Sequence, residues 1–157
     1  MVFTGKKKSR EKVAAIVDER EIFVDAWCAC YENADPQVLG YIFDAVHHCG
    51  DENEDVIHNF FRRGYCYYFA HMLQLAFRRG TVCVAAPLGH FVWMDENQIP
   101  YDIEGVNESE CEAYIPEEFM GDMVKDFLHV KGDYHNTTAE EIEDLIKRYR
   151  ESQKSNN

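Results

Sequence analysis

Apolar residues along this chain recur mainly at spacings of three and four, the period of an amphipathic helix, and change to runs and alternation between residues 81 and 103. Residues 11–33 form a helix candidate, with Val13, Ile16, Val17, Phe23, Val24 and Trp27 at its apolar positions. Asp35-Pro36 then fits an N-cap followed by Pro at the first helical position. The helix from there carries Val38, Leu39, Ile42, Phe43 and Val46 and stops at Gly50. Residues 51–63 open on acids and continue as a short helix through Val56, Ile57, Phe60 and Phe61, which Gly64 breaks. The next helix runs from about Cys66 to Arg79, with Phe69, Met72, Leu73, Ala76 and Phe77 on its stripe. Arg78 and Arg79 suit its last turn, and Gly80 suits the C′ position.

Thr81 to Ala86 reads as a buried strand, and Pro87-Leu88-Gly89 turns the chain. His90–Met94 and Ile99–Ile103 make a hairpin around Asp95-Glu96-Asn97-Gln98. Its register decides what can meet. If Met94 pairs with Gln98 across a three-residue loop, His90 lies opposite Asp102; a two-residue loop sends Asp102 to the other face. Asn97 tolerates the left-handed conformation that a three-residue loop requires, which favours the first register. Pro116 starts a short helix, and Met120 to Leu128 offers another. Thr138-Ala139-Glu140-Glu141 is a capping box opening a last helix to about Ser152, docked through Ile142, Leu145, Ile146 and Tyr149. The elements make an α+β domain over residues 11–152, between a flexible basic leader at 1–10 and a flexible tail at 153–157.

A chain of 157 residues with 46% hydrophobic and 13% aromatic content is long and apolar enough to fold around one core. No apolar run approaches the roughly 18–20 residues of a membrane span. Met1-Val2-Phe3-Thr4-Gly5-Lys6-Lys7-Lys8 has no long apolar stretch after its lysines, so a secretory signal is not expected and the cytoplasm is the default compartment. The six Cys, at 28, 30, 49, 66, 83 and 111, then read as free thiols. Net charge is −13, with five basic groups in residues 6–12 and eleven acids against Lys125 in residues 95–126. That balance disfavours direct nucleic-acid binding. The acids serve as a solvated face, or they attract a basic partner.

Cys66 is the residue with candidate chemistry. It opens a helix, where free backbone N–H groups stabilise a thiolate. His90 begins a strand one helix, one strand and a turn later, and Asp102 lies on the returning strand. Cys supplies the attacking sulfur, His handles its proton and Asp orients the His. Cys83 alternates with apolar neighbours and reads as core.

The stretch Gly64-x-Cys66-x-x-x-Ala70-x-x-Leu73-x-x-Ala76-Phe77-Arg78-x-Gly80, continued by Gly89-His90-Phe91-Val92-Trp93 and Tyr101-Asp102, resembles the transglutaminase-like branch of the papain-like cysteine enzymes. The resemblance covers residues 64–105. It implies a Cys-bearing core helix packed on a small antiparallel sheet, here of three strands, with added N- and C-terminal helices. It also implies Cys66 as nucleophile, His90 as base and Asp102 as orienter. Tyr65, Tyr67 and Trp93 are the candidates to line the substrate site, and Trp27 and Asn59 the candidate oxyanion donors.

The expected function is a thiol enzyme acting on an amide or acyl group through a thioester, as peptidase, deamidase or acyl transferase, on a protein or peptide substrate rich in Lys. The alternative is an acidic, non-catalytic binding protein, such as a phage-borne inhibitor that captures a basic, nucleic-acid-binding partner. No cofactor motif is present. Cys28-x-Cys30 with His47-His48-Cys49 is too tightly spaced, and too clearly helical, for a zinc site, so no metal is expected. Glu104, Glu108, Glu110 and Glu112 read as a solvated loop or edge.

Overall fold

The computed structural model describes residues 19–47, 56–57, 61, 65–127 and 139–155. The expected leader at 1–10, the first part of the 11–33 helix, Gly50, Asn59, Gly64 and the Thr138 cap lie outside them. The fold is α+β. Helix α1 (Arg20–Cys30) and α2 (Pro36–His47) precede α3 (Cys66–Phe77). Strands β1 (Thr81–Ala86), β2 (His90–Met94), β3 (Pro100–Asp102), β4 (Gly105–Val106) and β5 (Ala113–Pro116) follow. The chain continues through α4 (Glu117–Met120), a 3₁₀ segment (Gly121–Phe127) and α5 (Ala139–Ser155). Val56, Ile57 and Phe61, the described part of the 51–63 helix, are helical.

The expected caps and stripes mostly hold. Asp35 Oδ1 accepts from Gln37 N at 2.8 Å, and Val38, Leu39, Ile42, Phe43 and Val46 are all buried. From α3, Phe69, Ala70 and Leu73 join Phe23, Trp27, Phe91, Trp93 and Tyr101 in one core. Each of the large side chains among them contributes roughly 1.5–3 kcal/mol by leaving water. The end of α3 departs from the expectation. The helix stops at Phe77, and Arg78 takes the left-handed cap at φ 53° in place of Gly80. Arg79 leaves the helix altogether. It pairs with Asp35 and Glu96 and lies over the Phe77 and Trp93 rings. Gly80 is needed for close approach instead, because a Cβ there would strike the Met94 carbonyl and the Trp93 ring. At the C-terminus α5 runs to Ser155, past the expected end near Ser152, and Ile142, Leu145 and Ile146 are buried.

The sheet is antiparallel, with five strands in the order β4-β3-β2-β1-β5, not three. β4 is two residues long, and β5 pairs with β1 across the chain, so neither leaves a local alternation to read. The hairpin loop has three residues, as expected, but closes one position later. Asp95 N donates to Ile99 O at 3.1 Å, and Gln98, not Asn97, takes the left-handed conformation at φ 66°. The reason is Asp95. Its buried carboxylate accepts the N–H groups of Asn97 and Ile99, both at 2.9 Å, and the Tyr101 hydroxyl at 3.3 Å. Trp93 therefore pairs with Tyr101 and Met94 with Pro100. His90 and Asp102 keep one face, the side opposite Phe91, Trp93 and Tyr101, but sit diagonally rather than directly opposed.

Candidate active site

β3 pairs with β2 only at Trp93 and Met94. One step further along that edge lies the Phe91 N–H. It donates to the Cys66 sulfur, and the Tyr67 N–H in the first turn of α3 donates there too. α3 packs along β2, so its first residue arrives where β2 and β3 separate. Tyr65 holds the N-cap position without a side-chain cap, which leaves the Tyr67 N–H to the sulfur.

His90 stands at the same gap. Its Nε2 is 2.9 Å from Asp102 Oδ2, and the ring also hydrogen-bonds the Cys66 thiol, for which Nδ1 remains. Asp102 is 6% exposed, and its Oδ1 accepts from Glu104 N at 2.8 Å. The structure thus brings Cys66, His90 and Asp102 into one hydrogen-bonded chain. Burial pushes the Cys66 thiol up, but the His90 hydrogen bond and charge, with the Phe91 and Tyr67 N–H groups, outweigh it and hold the thiol below its ordinary value. Burial pulls His90 down, and the bonds and charges of Asp102 and Cys66 outweigh that and hold the imidazole above its ordinary value. The two directions together favour a thiolate–imidazolium pair. Cys83 contrasts with this. Burial first, then the Glu117 charge, pushes its thiol up to about 12.

The other expected site residues divide. Tyr65 is exposed beside Cys66, with its ring 5.8 Å from that of Tyr68. Tyr67 packs between Phe91 and His71, and its hydroxyl bonds Glu117. Trp93 is fully buried and gives its indole N–H to Arg79 O at 2.9 Å, so it belongs to the core and presents nothing to a substrate. Trp27 is also buried. Its Nε1 packs against Gly105, behind the β3–β4 turn, and has no hydrogen-bond partner among the described residues. Glu108, expected in solvent, is 2% exposed and bonded to the Tyr31 hydroxyl. His71, on the same helix as Cys66, faces a neighbouring element as its position suggests, and meets Glu117 at 2.7 Å, a partner 46 residues away that no local pattern could name. Among the described residues, no helix is long and apolar enough to cross a membrane, and no three His, Cys, Asp or Glu stand where they could hold a metal ion.

No curated protein and no solved structure matches the chain. The resemblance to transglutaminase-like and papain-like enzymes is not upheld, since no family model of either kind matches. A Cys at a helix start with His and Asp on strands is an arrangement that unrelated folds reach separately, so it describes chemistry without fixing ancestry. A family model does match residues 42–154, a span that includes Cys66, His90 and Asp102. The chain belongs to the phage-associated family described as Phage YunG-like protein.

Proposed function

We propose that this chain is a thiol enzyme acting on an amide or acyl group. The observation that carries the reading is the chain from the Cys66 thiol through His90 to Asp102, with one N–H from the helix start, Tyr67, and one from β2, Phe91, on the sulfur. In the first step the Cys66 thiolate attacks the carbonyl carbon and a C–S bond forms. The backbone N–H of Cys66 donates to the oxyanion. His90 then gives its proton to the departing amine, the C–N bond breaks and a thioester remains. Water attacks the thioester, His90 takes its proton and the Cys66 thiolate leaves. An amine in place of that water gives transfer instead of hydrolysis. Tyr65 forms the exposed wall beside the sulfur. The eleven acids of residues 95–126 suit a substrate that carries Lys, and the setting is the cytoplasm.

The test uses p-nitrophenyl acetate as acyl donor and peptide mapping of the product. An acetyl group is expected on Cys66 in the wild-type chain, and none at that peptide in Cys66→Ala or His90→Ala. Acetylation of Cys66 that is unchanged in His90→Ala overturns the reading. If Cys66 stays unacetylated while the chain captures a basic protein in a salt-dependent way that survives Cys66→Ala, the acidic binding protein is the better account.

A further inference from the structure

β4 and β5 lie on opposite edges of the sheet, yet residues 107–112 alone connect them. Four strand spacings amount to about 19 Å. Seven Cα steps span about 25 Å at most. The connection therefore crosses the sheet nearly straight. Its ends are fixed: Asn107 N donates to Pro100 O and Glu112 N to Ala86 O, both at 2.8 Å. Between them Cys111 packs with Ala85, Val92 and Tyr114. Ala85 pairs with His90 on one side and with Tyr114 on the other, so this is the face that carries His90 and Asp102. Ala85 is the small residue over which the crossing fits.

We propose that residues 107–112 are a strap that fixes the Asp102–His90 pair, with Tyr114 as the positioning residue that holds the strap down. The buried Tyr114 hydroxyl accepts from Asn107 Nδ2 at 3.2 Å and donates to the Cys111 sulfur. Ser109 Oγ donates to Asn107 Oδ1 at 2.9 Å, and Glu108 is tied to Tyr31, the C-cap of α1. Both halves of the strap are thus anchored. His90 is faced by Asp102 from β3 and Cys66 from α3, and Asp102 is faced in addition by Tyr114 from β5. None of them contributes a counter-cation, so the strength of the Asp102–His90 contact depends on keeping water out. Admitting water weakens every perturbation at once, which returns His90 downward and Cys66 upward towards ordinary values.

This inference rests on Cys66 being activated by His90, and the test separates the two. Cys66 alkylation by iodoacetamide is followed against pH in wild type, His90→Ala, Tyr114→Phe and Asn107→Ala, each with its melting temperature. In Tyr114→Phe and Asn107→Ala the profile is expected to move about one pH unit upward, which is on the order of tenfold slower labelling near neutrality. If His90→Ala moves the profile but both strap variants melt lower and keep the wild-type profile, the strap is overturned and the activated thiol stands. If His90→Ala leaves the profile unchanged, the activated thiol falls, and the strap's role falls with it. Should Tyr114→Phe not fold, Asn107→Ala carries the same two outcomes.

Discussion

His90 Nε2 lies 2.9 Å from Asp102 Oδ2, although the strand register sets the two residues diagonally and not opposite each other. The imidazole spans the offset because β2 and β3 separate beyond Trp93, which leaves room for Asp102 to turn towards it. Replacing Asp102 by Asn keeps the shape and removes the charge that holds His90 protonated. The expected outcome is labelling of Cys66 slower by about tenfold or more near neutral pH, with the melting temperature little changed. Intact-mass kinetics of alkylation checks it.

The thiols of the native chain are expected to react in a set order. Cys66 is held down by His90, whereas burial raises Cys28, Cys83 and Cys111. Peptide mapping after a short iodoacetamide pulse near neutral pH should find Cys66 labelled ahead of these three, although Cys28 is the more accessible. Denaturant should abolish that order.

Activity is expected to follow a bell-shaped pH profile. Below the lowered value of Cys66 the thiolate is protonated, and above the raised value of His90 the imidazolium loses its proton. The ion pair fills the range between, so the acid limb should lie below the ordinary thiol range and the alkaline limb above the ordinary imidazole range. The rate of acetyl transfer from p-nitrophenyl acetate across pH measures both limbs.

Asp95→Ala removes the acceptor for the Asn97 and Ile99 N–H groups and the Tyr101 hydroxyl. The loss is expected to be about 2–4 kcal/mol, because buried donors are left unsatisfied. Chemical denaturation measures it. Since the same loop sets the register of Asp102, the variant should also label more slowly at Cys66.

Gly105→Ala is expected to destabilise by about 2 kcal/mol or more, because φ is +119° and the new methyl strikes the Trp27 indole. Gly121→Ala is the control. It also has positive φ, 57°, but its Cβ meets nothing, so a smaller loss is expected. Thermal melts of the two variants compare them.

Helix stripes, the β1 strand and the parity of the hairpin were legible in the sequence, because each depends on neighbours a few residues apart. Val38 to Val46 and Thr81 to Ala86 show this directly. The candidate triad was legible for the same reason, as Cys66, His90 and Asp102 fall within one local unit. What escaped depends on distant pairing. β5 joins β1, Tyr31 buries Glu108 and His71 meets Glu117 only after the chain has folded back. The hairpin shift of one position escaped because a side chain, Asp95, and not a turn propensity, closes the loop. The family resemblance failed because three residue types at loose spacing recur among unrelated folds.

The central claim is that His90 makes Cys66 a nucleophile. Its most direct measurement is the alkylation rate of Cys66 against pH in wild type and His90→Ala. The wild type should keep a substantial rate well below the ordinary thiol range, while His90→Ala should rise only as the pH approaches that range. Two superimposed profiles would contradict the account.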